Sequence, residues 1–156
     1  MINFSNLLTS NRIFEQLSGE SRQGVFRQLS EAMGEAVDID SRLILEAVIE
    51  RERLGSTALG NGVCIPHARL PGLNEPIGTF ARLAAPVDFD AIDERHCDLV
   101  FVLLAPELEG SSHLRALAQI SRAFRQANFR AALRAAKSHS ELAGLLGVDA
   151  KQGQAA

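Results

Sequence analysis

Six side chains of this sequence are the first candidates for chemistry: four histidines, His67, His96, His113 and His139, and two cysteines, Cys64 and Cys97. The most informative segment is Arg51-Glu-Arg-Leu-Gly-Ser-Thr-Ala-Leu-Gly-Asn-Gly-Val-Cys-Ile-Pro-His67-Ala-Arg-Leu-Pro. Gly60 and Gly62 permit tight turns with positive φ. Pro66 fixes its own φ and drives Ile65 toward extended backbone. His67 is thereby delivered where a short strand, Val63–Ile65, opens into an exposed loop. An imidazole there, with an ordinary pKa of about 6.5, is near-neutral at cellular pH. A neutral ring nitrogen is a competent nucleophile toward a phosphoryl group. Such a transfer spreads charge over three equatorial oxygens, so cationic or hydrogen-bond-donating groups should meet them.

Two residues could supply those groups. Arg51 falls at the end of the second predicted helix, where its guanidinium fork could hold two phosphoryl oxygens. His113 follows Ser112, the predicted cap of a later helix, and so lies at a helix N-terminus, a natural anion site. The helix dipole there favours a neutral ring with one N–H to donate. Spacing alone does not bring Arg51 or His113 to His67; the fold must do that. Taken singly, each also has an ordinary reading: a loop histidine, a helix-start residue, a surface charge. His96 and His139 carry no supporting pattern and read as surface residues.

Other chemistries fit poorly. The run GNGVCIPH lacks the Gly-Lys-Ser/Thr of a phosphate-binding Walker loop. No His-Glu-x-x-His or similar grouping suggests zinc, so neither a metal nor a cofactor is expected. Cys64 and Cys97 are far apart in the chain and form no Cys-x-x-Cys pair or disulfide framework. Cys64 reads as a small strand-core residue.

The elements that must position these residues are legible in outline. Ser21 can cap a helix with Val25, Leu29, Ala32 and Met33 at helical spacing. Asp40 can cap a second, with Leu43, Ile44, Ala47 and Val48 on one face and Gly55 just past its end. Ile77 to Leu83 reads as a strand, with Ile77, Thr79 and Ala81 on one side and Phe80 on the other. Leu99 to Leu104 is an unbroken apolar run, as in a strand buried on both faces. A long helix capped by Ser112 carries Leu117, Ile120 and Phe124 on one stripe. Phe129–Lys137 and Ser140–Leu146 read as short helices. Strands interspersed with helices predict an α/β sandwich, a mixed sheet covered by helices on both faces. One domain over residues 1–150 is expected, with a disordered tail at 151–156.

Composition bounds the function. The chain has 156 residues, 46% hydrophobic and 22% charged, which argues against disorder over most of its length. A net charge of −3 provides no global basic field for nucleic acid. There is no Trp or Tyr, which weakens readings that need base- or sugar-stacking surfaces. The N-terminal run lacks a signal-peptide pattern, and the longest apolar run is too short to span a bilayer, so a cytoplasmic location without membrane insertion is expected. Charge is segregated. Six Lys/Arg and no acid fall between Ser111 and Ser140, whereas seven acids and only Arg95 fall between Asp88 and Glu109. Solvated helix faces explain this simply; a docking surface for an acidic partner is the alternative.

The run RERLGSTALGNGVCIPHARLPGL resembles the active-site signature of the mannitol/fructose-type enzyme IIA domains of the bacterial phosphoenolpyruvate phosphotransferase system. The later runs PVDFDAIDERHCDLVFVLLAPE and SSHLRAL resemble the same family, closest to its nitrogen-regulatory branch. The resemblance covers the chain from about Phe4 to Gly147. It implies that His67 accepts a phosphoryl group at Nε2 from an HPr-like phosphocarrier of the nitrogen branch. It matches Arg51 to the phosphate-stabilising arginine and His113 to the second active-site histidine. It implies a mixed sheet of about five strands flanked by helices. The charged segment Asp93–Asp98 departs from the small turn expected of the family, and Cys64 stands where a small residue such as Ala is expected. Ser56 and Thr57 lie within the motif and could hydrogen-bond near the site.

Three functions follow from the resemblance. The first is a regulatory phosphocarrier, tied to nitrogen or potassium regulation, whose phosphorylation state controls partners such as sensor kinases or transporters. The second is a sugar-specific IIA protein that passes phosphate to a permease IIB domain. The third is a binding module in which His67 is never phosphorylated. The PVDFDAID run favours the first.

Overall fold

The computed structural model of the chain describes residues 2–108 and 111–148, with the backbone alone for Ser112. A short 3-10 turn, Ser10–Arg12, leads into β1 (Ile13–Leu17). There follow α1 (Arg22–Val37), α2 (Ser41–Arg53), β2 (Ala58–Gly60), β3 (Val63–Cys64), β4 (His67–Leu70), β5 (Ile77–Val87) and β6 (Cys97–Pro106). Three helices complete the chain: α3 (Ser111–Phe124), α4 (Ala127–Ala135) and α5 (His139–Leu145). The sheet order is β1-β5-β6-β3-β2, and β4 also pairs with β6. β1 runs parallel to β5, β5 antiparallel to β6, β6 parallel to both β3 and β4, and β2 antiparallel to β3.

The sheet has a core on each face because its central strands alternate apolar side chains both ways. Leu99, Phe101 and Leu103 of β6, with Phe80 of β5, join Ile120, Phe124, Leu133 and Leu142 of α3, α4 and α5. Val100, Val102 and Leu104 of β6, with Ile77, Ala81 and Leu83 of β5, join Val25, Leu29 and Met33 of α1 and Ile44 and Val48 of α2. The expected α/β sandwich is thus realised, with six strands rather than about five. The increase comes from one interrupted strand position, β3 and β4, lying end to end along β6.

The two early caps form as expected. Ser21 Oγ accepts from Gly24 N at 3.1 Å, and Asp40 Oδ1 accepts from Arg42 N at 2.9 Å. Elsewhere the structure corrects the expectations. The residues after Pro66 form β4 rather than an exposed loop, because their backbone finds β6 as a partner. β1 and β2 carry no strong alternation and could not be anticipated from it. Leu43 is 54% exposed, because the inward stripe of α2 runs through Ile44, Val48 and Glu52 at four-residue steps. α3 already includes Ser111, so Ser112 belongs to its first turn and is not its cap. α4 starts at Ala127. α5 is capped by Ser138, whose Oγ accepts from Glu141 N at 3.0 Å, so it begins ahead of Ser140. Cys64 and Cys97 are both free and buried, and although distant in sequence they lie in the same core cluster, where each thiol shifts the pKa of the other. The tail expected at 151–156 lies outside the described residues. Among the described residues no helix is long and apolar enough to cross a membrane.

Candidate functional site

The break between β3 and β4 is what places His67. Val63 and Cys64 pair with Leu99 and Val100, and His67 to Leu70 pair with Leu103 to Pro106. Between them, Pro66 has no N–H to give to the ladder. Its carbonyl accepts from Leu103 N at 2.9 Å, and Ile65 N turns away to donate to Thr57 O at 3.1 Å. The Ile65 carbonyl is then met by the imidazole of His67, with Nδ1 at 2.9 Å. A carbonyl can only accept, so Nδ1 carries the hydrogen and a neutral ring bears its lone pair on Nε2.

His113 stands beside this ring, with centroids 5.6 Å apart and planes at 48°. It occupies the third position of α3 and is only 7% exposed. Its Nδ1 is buried without a hydrogen-bond partner among the described residues. Arg51, in the last turn of α2, donates from Nη1 to Gly55 O at 3.2 Å. Arg51 and His67 line one groove of about 180 Å³, walled also by Ser56, Thr57, Leu117 and Ser121. The fold therefore gathers Arg51, His67 and His113, which lie far apart in sequence.

Electrostatics keep both rings neutral. Burial lowers the pKa of His67 below its ordinary value, and the positive charge of Arg51 lowers it further, while the Ile65 carbonyl pulls the other way. Burial likewise lowers His113, helped by His67, Arg69 and Arg51. A neutral ring nitrogen in a groove shared with a guanidinium is suited to attack an anionic electrophile while the cation meets its oxygens.

Arg69 is a member that spacing did not single out. It shares a face of β4 with His67 by the two-residue strand period, and that period is the signal that could have found it. Its Nη1 also donates to Glu107 O at 3.4 Å. Thr57 and Ser56 serve the wall of the groove. Thr57 Oγ1 donates to Glu52 Oε1 and lies 3.4 Å from Cys64 Sγ, and Ser56 Oγ donates to Phe89 O at 2.7 Å. The charged loop that departs from the family pattern has a structural task. Asp93 Oδ2 accepts from Asn61 N at 2.9 Å and so pins the turn between β2 and β3.

His96 is exposed, as expected. His139 is a correction: it is half-buried, and its Nε2 lies 2.8 Å from Ser10 O and 3.0 Å from Ile13 O. Two carbonyls on one nitrogen make it a donor that ties α5 to the start of β1. Among the described residues, no three His, Cys, Asp or Glu side chains gather in a way that could hold a metal ion.

A family model described as the phosphoenolpyruvate-dependent sugar phosphotransferase system, EIIA 2, matches residues 6–147. The chain is 40% identical over 155 residues to the nitrogen regulatory protein of Pseudomonas aeruginosa, covering 99% of this chain and 100% of that one. Its fold matches the crystal structure of the nitrogen regulatory protein IIA-Ntr from Neisseria meningitidis with a TM-score of 0.87 and 32% identity, covering 91% of this chain and 97% of that one. The fold also matches mannitol enzyme IIA of Escherichia coli, determined in complex with phosphorylated mannitol enzyme IIB. There the TM-score is 0.72 at 19% identity, with 89% of this chain and 96% of that one covered, a likeness of fold.

Proposed function

The chain belongs to the EIIA type 2 family of the phosphoenolpyruvate-dependent phosphotransferase system, on its nitrogen-regulatory branch, and from that premise we propose that His67 is its phosphoryl acceptor. One observation carries this reading: Nδ1 of His67 is committed to the Ile65 carbonyl, so the lone pair stands on Nε2 beside Arg51 and His113. The donor is an HPr-like phosphocarrier bearing a phosphohistidine. The Nε2 lone pair forms the new N–P bond as the donor's N–P bond breaks, and the donor ring keeps that electron pair. The guanidinium of Arg51 meets the equatorial oxygens, and His113 offers a ring N–H to the same group. The Nδ1 hydrogen bond to Ile65 O stabilises the ring as it acquires positive character.

Phosphorylation adds about two negative charges to a patch that otherwise presents Arg51 and Arg69. Partners that read this surface gain or lose an electrostatic complement without a large backbone change. In this reading the protein acts in the cytoplasm, and its phosphorylation state controls proteins such as sensor kinases or transporters.

The test is transfer of radiolabel from phosphoenolpyruvate through purified general components and an HPr-like donor. The native chain takes up an acid-labile label, and His67→Ala takes up none while keeping its circular dichroism spectrum. Label on a histidine of His67→Ala would remove the assignment, and no label on the native chain would favour a binding module. Adding a purified sugar IIB domain separates the remaining roles: rapid loss of label to IIB supports sugar transport, and retention with state-dependent partner binding supports regulation.

A further inference from the structure

A second groove, wider than the first at about 620 Å³, opens between the N-terminal turn of α1 and the C-terminal turn of α2. Phe26 and Ile49 give it an apolar floor, and Arg22, Arg53 and Glu52 stand in its wall. Glu52 is the unusual member. It occupies the inward stripe of α2 and is only 9% exposed. Its Oε1 accepts from Thr57 Oγ1, but its Oε2 is buried and has no hydrogen-bond partner among the described residues. A buried carboxyl oxygen without a partner is a rare and costly feature that calls for a missing donor.

The other end of the groove offers the opposite character. α1 is sixteen residues long, so its amino end carries a substantial positive dipole. Burial raises the pKa of Glu52, and the positive charges of Arg51 and of Arg22, which lies there, oppose that rise; the side chain of Arg22 makes no ion pair or hydrogen bond among the described residues. Arg53, by contrast, is already paired with Glu50. Glu20 and Asp88 also border the groove, so acids outnumber cations and a multiply charged anion is disfavoured. A ligand that fits must present an N–H donor to Glu52, an anionic group to Arg22 and apolar atoms to Phe26 and Ile49.

We propose that this groove binds a small zwitterion of the free amino acid class, with its ammonium group donating to Glu52 Oε2 and its carboxylate beside Arg22 at the amino end of α1. The site stands independently of phosphoryl transfer. It nevertheless has a physical connection to the first groove, because Glu52 holds the hydroxyl of Thr57, which lines the wall beside His67. A ligand that engages Glu52 alters what that hydroxyl meets.

The experiment is a nitrogen-15 NMR titration of the full chain with each of the twenty standard amino acids. Carrying it to about 20 mM detects dissociation constants in the millimolar range or tighter. The half-ligands acetate and methylammonium are titrated together as the control. The expected result is saturable shifts of the Arg22, Phe26, Ile49 and Arg53 amides with at least one amino acid and not with the half-ligand pair. Arg22→Ala and Glu52→Gln should each weaken binding by about tenfold or more, equivalent to about 1.4 kcal/mol. Arg22→Ala removes a surface side chain and guards against a folding defect in Glu52→Gln. No saturable shift with any of the twenty, shifts at other residues, equal response to the half-ligands, or native affinity in Arg22→Ala would each overturn the proposal. His67→Ala should bind as the native chain does, so failure here and failure of the phosphoryl reading are told apart.

Discussion

His67 owes its character to burial, one hydrogen bond and one neighbouring charge. The Ile65 carbonyl selects the tautomer, while burial and Arg51 push the ring pKa below its ordinary value. A histidine with a lowered folded pKa stays neutral through the neutral range and protonates only as pH falls through that lowered value. The His67 ring signals in an NMR titration should therefore show a midpoint below 6.5, and a midpoint above it would contradict the geometry. Phosphoryl transfer should be flat near neutrality and fall as the lone pair is protonated. The linked stability runs the same way. It is present above the unfolded value of about 6.5 and is lost as pH falls below it, because the unfolded chain takes up the proton first. Arg51→Ala should raise the His67 midpoint, since it removes a positive charge, and should slow labelling strongly while leaving a partial reaction. Unchanged midpoint and rate together would take Arg51 out of the site.

At the scale of elements, the decisive feature is the interrupted strand along β6. Its first half is held by the tight turn between β2 and β3, where Gly60, Asn61 and Gly62 all have positive φ. At Gly62 a Cβ would also come within 2.5 Å of Arg134 Nη2 and 2.9 Å of Asp98 Oδ1. Arg134 of α4 reaches this turn, donating to Asn61 O at 2.6 Å and pairing with Asp98 at 2.8 Å. The basic and acidic runs of the sequence thus meet here as a structural tie rather than remaining wholly solvated. Gly62→Ala should lower stability by about 1–3 kcal/mol in urea unfolding. Gly144→Ala is the contrasting case. That glycine is helical, in α5, with nothing within 4 Å of an added Cβ, so the change should stabilise by about 0.5–1 kcal/mol. Equal effects at the two sites would show that the turn carries no special constraint.

Across the whole molecule, one sheet serves two cores, and β6 contributes to both. Phe101 packs edge-on against Phe4 and Phe124 on one face. Leu104 is fully buried on the other. Because the strand is shared, the two faces should not melt separately. Phe101→Ala should cost about 3–5 kcal/mol and Leu104→Ala about 2–5 kcal/mol, each shifting one common unfolding transition. Separate transitions, seen by comparing near-ultraviolet and far-ultraviolet signals, would mean that the layers are independent. The rigidity of this arrangement also bears on function. Under the proposed function, a site set in a strand break between two packed layers would change mainly its charge on phosphorylation, and that charge is what a partner would read.

What the chain determined by itself was local. Ser21 and Asp40 declare their helices because a cap acts within three residues, and Leu99 to Leu104 declares a doubly buried strand because its side chains point alternately to two cores. Pro66 before His67 marked the place of the candidate nucleophile for the same reason: proline restricts only itself and its neighbours. The tertiary structure decided everything that needed a distant partner. β4 exists because β6 lies beside it, and Glu52 is buried because α2 turns its Ile44–Val48 stripe inward. Cys64 meets Cys97, and Arg51 and His113 meet His67, only when the sheet and three separate elements are assembled. Backbone pairing and burial are set by contacts across tens of residues. No local pattern encodes those contacts, so the chain marked its candidate nucleophile but left the company that residue keeps to the fold.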